Sequence, residues 1–189
     1  MKHITTMALM LTLGAAGVYA HQKPLKMTFS GTGGASAINL QIPNTRTGED
    51  NFAGDGTLGS FTVRIVEAGP TSPQFSSTCS GPTNLYFQTV AASAVFRFED
   101  GSLLKVSLVE GNDCIDFQAR EAHCTRTFKI IGGTGRFTDA SGTLTLTYAP
   151  VPVLADAFNN PVFFAATGEI TGTVSGVARD DDDDRNGRH

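Results

Sequence analysis

A glycine turn between two strand-like segments constrains the fold of this 189-residue chain more than any other feature. Three glycines fall within four positions, at Gly132, Gly133 and Gly135. Glycine is used where the backbone needs a positive φ or where a Cβ would clash. After the turn, residues 143–148 alternate polar and apolar, which is the period of a half-buried strand. The segment therefore predicts two strands joined by a tight turn, with Phe137 as a large apolar plug.

The first twenty residues have the features of an export signal. A short basic start at Lys2 precedes a mostly apolar stretch at residues 4–18, and Ala20 is the small residue that signal cleavage requires. A bilayer-spanning helix needs about 20 apolar residues, so this stretch is too short to be one. We therefore expect residues 1–20 to be removed and the protein to be secreted or periplasmic, where disulfides persist.

Polar and apolar residues alternate through much of the remaining chain. The alternation predicts strands at residues 23–30, 35–42, 57–67, 85–99, 102–110, 125–131, 141–148 and 162–177. Residues 43–56 and 111–124 are rich in polar and charged side chains and are predicted to be loops. Asp100 and Gly101 have the composition of a type I′ hairpin turn. No stretch after the signal has convincing helical periodicity.

The strand pattern predicts an all-β fold. Eight strands joined in sequence by hairpin-type loops close most simply into an antiparallel barrel, because closure removes exposed edges. A two-sheet β-sandwich is the alternative. We expect residues 21–178 to form this single domain and residues 179–189, which carry a run of five aspartates, to be a disordered acidic tail. The net charge of −4 gives no electrostatic footprint for nucleic acid.

Three motifs resemble one superfamily. Residues 128–142 are similar to the glycine-turn signature of the allene oxide cyclase and dirigent barrels, most of all to their small secreted bacterial members. Residues 56–62 resemble an earlier strand opening of that group, and residues 168–176 resemble its closing strand. The resemblance implies an eight-stranded barrel with an apolar cavity, which the plant relatives often assemble as a trimer. It also implies catalysis by orientation, as in cyclising an unsaturated epoxide or coupling phenoxy radicals.

Arg97, Glu99 and Lys105 are the candidate ligand-binding residues. Arg97 and Glu99 share one face of a predicted strand, and Lys105 lies on the returning strand. If this face points into the barrel, the three side chains are polar groups of a cavity. If it points to water, they are ordinary cross-strand charges. The chain has no Gly-x-Ser-x-Gly elbow, Walker loop or His-Glu-x-x-His motif, so hydrolases and nucleotide enzymes are not indicated.

Three cysteines in an exported chain predict one disulfide and one leftover thiol. Cys114 and Cys124 close a short loop between adjacent strands and are the favoured pair, with a bridge to Cys79 as the alternative. His21, if it becomes the new N-terminus, could bind copper together with His123. The alternative is a terminal histidine without a role. No metal site is assigned on this basis, and no cofactor is expected.

Three functions remain open. The first is a binding module that holds a small apolar molecule inside the barrel. The second is a cyclase or isomerase that controls the shape of a reactive apolar substrate. The third is a structural or interaction barrel with a filled core. A cavity with a convergent Glu, Tyr or Arg favours the second function, and a filled core without polar groups favours the third. A homo-oligomer fits the resemblance, whereas neither nucleic acid nor membrane is an expected partner.

Overall fold

The computed structural model describes residues 22–79, 84–157 and 161–178. The predicted export signal, His21 and the whole of the predicted acidic tail lie outside these ranges. The described residues form nine strands: β1 (Lys23–Ala35), β2 (Thr45–Gly56), β3 (Phe61–Pro70), β4 (Asn84–Gln88), β5 (Ala91–Phe98), β6 (Leu103–Asp116), β7 (Glu121–Gly133), β8 (Ser141–Ala155) and β9 (Pro161–Ser175). One short 3₁₀ turn spans Gly135–Phe137. Over the same ranges, no helix is long and apolar enough to cross a membrane.

Eight of these strands form a closed antiparallel barrel. Hydrogen-bonded neighbours follow the order β6, β5, β3, β2, β1, β9, β8, β7, and β7 pairs with β6 to complete the ring. β4 lies outside the ring and pairs with the second half of β6, where Asn84 is opposite Asp116 and Gln88 is opposite Asn112. The predicted eight-stranded antiparallel barrel is therefore confirmed, and the sandwich alternative is wrong.

Two of the predicted loops are strands. Most of residues 43–56 belongs to β2, and residues 111–124 contain the end of β6 and the start of β7. In β2 the positions that face inward include Asp50 and Phe52, followed by glycines that leave space for large neighbours. The apolar alternation that marks a strand is therefore missing from its sequence. Conversely, the predicted strand at residues 35–42 is wrong, because β1 ends at Ala35 and residues 36–42 form a loop.

The hairpin predicted at Asp100 and Gly101 joins β5 to β6. Gly101 has a φ of 80°, and Asp100 is not among the residues with a positive φ. A type I′ turn requires a positive φ at both central positions, so the predicted turn type is wrong. The loop instead has three residues with glycine in the left-handed position, closed by a 3.0 Å hydrogen bond from the Phe98 N–H to the Ser102 carbonyl.

The glycine turn lies where β7 ends. The φ angles are 105° at Gly132 and 58° at Gly135, which favour glycine at both positions. A Cβ on Gly133 would collide with the carbonyl oxygen of Leu103, so this position needs glycine because of a close backbone approach. The turn lets the chain leave β7 and re-enter the barrel wall as β8.

Phe137 fills the end of the barrel beside this turn. Its side chain is fully buried, and its ring centroid is 4.7 Å from that of Phe98. Arg136 covers the pair, with its guanidinium carbon 4.7 Å from the Phe137 ring centroid and 5.0 Å from the Phe98 centroid. Its Nη2 donates a 2.6 Å hydrogen bond to the Leu58 carbonyl. This end of the barrel is thus closed by an aromatic plug and a stacked cation.

The disulfide joins Cys79 to Cys114, and the favoured Cys114–Cys124 pair is wrong. Cys124 is a buried free thiol on the inner face of β7, opposite Asp113 on β6. Successive strand residues face opposite sides of a sheet, so Cys114 cannot share the inner face that Asp113 and Cys124 occupy. Residues 111–124 were predicted to be a loop, in which no face can be assigned to a residue. Both cysteines in fact lie on paired strands. The bond ties residues 71–79 to β6.

Candidate functional site

Five ionisable side chains converge inside the half of the barrel that lies away from the glycine turn. We call them the polar cluster; its members come from five strands and are Asp50 (β2), Glu67 (β3), Asp113 (β6), Arg126 (β7) and Tyr148 (β8). The rest of the buried interior is almost entirely apolar. Charged groups are rarely buried unless they are paired, so this cluster is the chemically distinctive part of the interior.

Arg126 is the centre of the polar cluster and is only 1% exposed. Its Nε and Nη2 donate to the two oxygens of Glu67 at 2.8 and 3.0 Å. Its Nη1 and Nη2 donate to the two oxygens of Asp113 at 2.8 and 3.1 Å. Nη1 also donates to the carbonyls of Asn112 and Thr125 at 2.8 and 3.1 Å. A guanidinium has five N–H donors, and these six acceptors use all of them.

Glycines on neighbouring strands leave the space that the polar cluster occupies. A Cβ on Gly111 would lie 2.6 Å from the Cδ of Arg126. A Cβ on Gly33 would collide with both the Asp50 carboxylate and the Phe164 ring. Interiors pack densely enough that an additional methyl group at such a contact must displace its neighbours. The backbone of β1 and β6 is therefore part of the construction of this site.

Asp50 is 2% exposed and lies at the edge of the cluster. Its Oδ2 accepts a hydrogen bond from the Tyr148 hydroxyl at 3.4 Å, which is long for a bond between two oxygens. Burial, together with the negative charge of Glu67, raises the pKa of Asp50 to about 8, although Arg126 opposes the shift. Asp50 is therefore mostly protonated at neutral pH and has a proton to donate.

Tyr148, a member of the cluster, and Cys124, its neighbour on β7, are also neutral. Burial raises the pKa of Tyr148 well above its usual value, and burial likewise raises the pKa of the Cys124 thiol. A thiol in this state is a poor nucleophile. The Tyr148 ring meets Phe29 and Phe52 edge-on, with centroids 6.1 and 5.6 Å apart. Tyr148 therefore forms the boundary between the polar cluster and the apolar interior.

Two carboxylates of the polar cluster are partly exposed to solvent. The side chains of Glu67 and Asp113 are 18% and 21% exposed. Asp50 lies deeper, next to the half-buried ring of Phe164 on β9. A molecule that approaches this end of the barrel meets the oxygens of Glu67 and Asp113 first, because Asp50 is almost fully buried.

The three predicted ligand-binding residues lie elsewhere. Arg97, Glu99 and Lys105 are all exposed, because the inward positions of their strands are taken by residues such as Phe96 and Leu104. They have the outward orientation that the sequence analysis gave as the alternative to a cavity. His123 is also exposed, on β7, and His21 lies outside the described residues.

Two grooves lie on the outer surface of the barrel. The first has a volume of about 560 Å³ and crosses the outer face of β1, β2, β3, β5 and β6, between Arg64 and Arg97. The second, of about 290 Å³, lies on the outer face beside Glu49 and Phe163. Arg97 therefore lines a groove on the outer surface of the barrel.

The polar cluster was not predicted from the sequence. Asp50 and Asp113 fell in predicted loops, so their orientation was not considered. Arg126 did carry a signal, because it lies on the same face of β7 as Cys124 and Phe128. A charge at an inward position of an otherwise apolar alternation indicates a buried ion pair, and that observation alone would have pointed to this half of the barrel.

No protein-family model matches the chain, and no curated protein matches it. Among solved structures, the pterocarpan synthase dirigent protein PsPTS1 is similar with a TM-score of 0.42 and 14% sequence identity, over 84% of this chain and 97% of that chain. The pterocarpan synthase dirigent protein GePTS1 is similar with a TM-score of 0.40 and 12% identity, over 84% of this chain and 87% of that chain. At TM-scores this low, neither likeness establishes a family or a function.

Proposed function

We propose that this protein is an exported barrel that binds a small, largely apolar molecule at the polar cluster and transfers a proton to it from Asp50. The proposal is carried by the Asp50 carboxyl, which is 2% exposed and lies beside Tyr148 and Arg126 in an otherwise apolar interior, and whose pKa is raised to about 8 chiefly by burial. A convergent acid, tyrosine and arginine favour a cyclase or isomerase over a passive carrier.

The chemistry follows from the charges around Asp50. Asp50 acts as a general acid that donates its proton to an oxygen of the bound molecule, and the carboxylate left on Asp50 takes a proton back as the rearranged product forms. A pKa near the working pH suits proton transfer in both directions. The positive charge that develops on the molecule is stabilised by Glu67 and Asp113, whose positions Arg126 fixes. Phe52 and Phe164 provide an apolar wall that holds the carbon skeleton in one shape.

Entry of the molecule requires a side-chain movement. Asp50 is almost fully buried, and the ring of Phe164 packs beside it over Gly33. Rotation of Phe164 toward solvent would open space above Asp50 without moving the strands. Side-chain rotation of this kind is fast compared with enzymatic turnover, so it can serve as the entry step.

An oxidising location is part of the proposal. The Cys79–Cys114 disulfide and the export signal expected at residues 1–20 both support it. The partner of the protein in this proposal is a small molecule.

A tryptophan reporter tests the proposed site directly. The chain has no tryptophan, so Phe164→Trp places a single fluorophore beside Asp50. Phe163→Trp is the matched control, because Phe163 is exposed on the outer face of the same strand. A panel of uncharged aromatic and terpenoid alcohols is titrated into both variants. We expect compounds that shift the emission of the Phe164→Trp variant only. Equal responses in both variants, or no response at position 164, would contradict the proposed site.

The second candidate is a structural barrel that works through its outer surface. The exposed apolar side chains Val151, Val153, Leu154 and Phe163, near the end of β8 and the start of β9, favour it. Under this alternative, no small molecule affects the Phe164→Trp emission, and Asp50→Asn leaves the biological activity unchanged.

A further inference from the structure

We infer that the molecule bound at the polar cluster is an organic cation, an amine on an apolar skeleton, and that carboxylates are excluded. This inference rests on the proposed ligand site and adds the charge class of the ligand. It is carried by two observations: the balance of charge in the cluster, and the use of every donor of Arg126.

The polar cluster has more negative than positive groups. Arg126 supplies one positive charge, and Glu67 and Asp113 supply two negative charges, which gives 1 − 2 = −1 with Asp50 neutral. The remaining strands that pack here add no charge at the site: β1 contributes Gly33, β8 contributes Tyr148 and β9 contributes Phe164. Cys124 on β7 is a neutral thiol. The cluster therefore has a place for one further positive charge.

The hydrogen-bonding groups of the cluster also favour a cation, because free acceptors remain and no donor of Arg126 does. Arg126 has no donor left, so an incoming carboxylate would find no partner there and would add a third ionised carboxylate to the site. Glu67 and Asp113 each accept two hydrogen bonds from Arg126, while a carboxylate has about four acceptor positions. Because both are partly exposed, their remaining lone pairs are available to an ammonium group, which has three N–H donors.

Binding of a cation should be coupled to the proton on Asp50. The negative charge of Glu67 is one of the causes that keep Asp50 protonated. A cation bound to Glu67 offsets that charge, so the pKa of Asp50 falls. Asp50 thereby becomes a stronger acid toward the bound molecule, and a fraction of the protein molecules releases this proton to solvent. If the pKa falls by about one unit from about 8, roughly half a proton is released at pH 7.5. Affinity for the amine therefore increases as the pH rises through this range.

Three probes with the same ring separate the charge classes: 2-phenylethylamine, 2-phenylethanol and phenylacetate. Each is titrated into the Phe164→Trp variant. We expect the amine to bind about tenfold more tightly than the alcohol, which corresponds to one good ion pair, and phenylacetate not to bind. Calorimetry of wild-type protein in two buffers of different ionisation enthalpy should show proton release with the amine and none with the alcohol.

Variants locate the effect. Glu67→Gln and Asp113→Asn should each weaken the amine about tenfold and leave the alcohol unchanged. Glu49→Gln is the matched control, since Glu49 lies on the outer face and pairs with Arg64. Asp50→Asn should keep amine binding and abolish proton release. If a variant fails to fold, the three-probe comparison on the Phe164→Trp protein still decides.

The outcomes distinguish this inference from the proposed site. Equal or tighter binding of the alcohol overturns the cation inference and leaves the site in place. Binding of phenylacetate overturns it as well. Absence of any response at position 164, with these probes and with the uncharged panel, overturns both the inference and the proposed site.

Discussion

Replacing Asp50 with asparagine should change the pH dependence of stability more than any other single substitution in this barrel. The pKa of Asp50 is raised from 3.8 to about 8 in the folded protein, chiefly by burial. Between these two values the folded state holds a proton that the unfolded state has lost. A group of this kind makes the folded state less stable as the pH rises, because the unfolded state gains the freedom to ionise.

The magnitude follows from linkage. Each pH unit between the unfolded and folded pKa values costs about 1.4 kcal/mol of folding free energy. Between pH 5 and pH 7 the wild-type protein should therefore lose about 3 kcal/mol through Asp50 alone. Asparagine has the shape of the protonated carboxyl and cannot ionise, so Asp50→Asn lacks this loss. If asparagine replaces the protonated carboxyl without other cost, the variant should be about 2 kcal/mol more stable than wild type at pH 5 and about 5 kcal/mol more stable at pH 7.5.

Urea denaturation at several pH values between 5 and 8 measures this difference. The quantity of interest is the free energy of unfolding of Asp50→Asn minus that of wild type, plotted against pH. Asp55→Asn is the matched control, because Asp55 lies on the same strand and faces solvent. Its difference plot should be flat. A flat plot for Asp50→Asn would refute the conclusion that a buried carboxyl at this position is kept neutral by its surroundings.

Three further predictions concern stability. Arg126→Met should cost about 3–5 kcal/mol in urea denaturation at pH 7.5, because it leaves two carboxylates without their partner; a cost as small as that of Arg64→Met, at an exposed pair, would contradict this. Gly33→Ala should cost about 1–3 kcal/mol through overpacking against Asp50 and Phe164, whereas Gly69→Ala, with no atom within 4 Å of the new Cβ, should be tolerated. Replacing Cys79 and Cys114 by serine should cost about 2–4 kcal/mol. Without reductant, the unfolded wild-type protein should titrate as a single free thiol; three thiols would contradict the disulfide.

The barrel was predictable because most of its inner wall is apolar and alternates. Phe61, Val63 and Ile65 on β3 show the period of a half-buried strand, and the structure buries all three. The plug was predictable for a similar reason, since Phe137 is a large apolar residue held by a tight turn. Closure into a ring then follows from the number of predicted strands and from the lack of helical periodicity in the sequence after residue 20.

The site was not predictable from the same rules, because its strands contain inward-facing residues that look like loop residues. Asp50 and Gly33 face each other across β1 and β2, and Gly111 leaves room for Arg126. A glycine opposite a large side chain fills an interior as well as two medium-sized residues do, yet it removes the apolar alternation from both strands. The polar cluster therefore lies where the hydrophobic pattern fails, which is also where functional groups are expected.

The predicted cysteine pairing was wrong for a related reason. Cys114 and Cys124 are close in sequence and on adjacent strands, but they occupy opposite faces of the sheet. Only the register of β6 and β7 reveals the face, and the register of a segment predicted to be a loop cannot be assigned. For the same reason, the sequence did not predict that Asp113, which is opposite Cys124, faces the interior.

The most direct test of the proposed chemistry is the titration of the Asp50 carboxyl itself. Carbon-13 NMR of protein labelled at aspartate carboxyls, compared with the Asp50→Asn variant, identifies its signal. We predict that the Asp50 carboxyl titrates with a midpoint at about pH 8 and gives the signal of a protonated carboxyl at neutral pH. A midpoint close to that of an ordinary aspartate, about 3.9, would mean that Asp50 carries a charge and has no proton to donate.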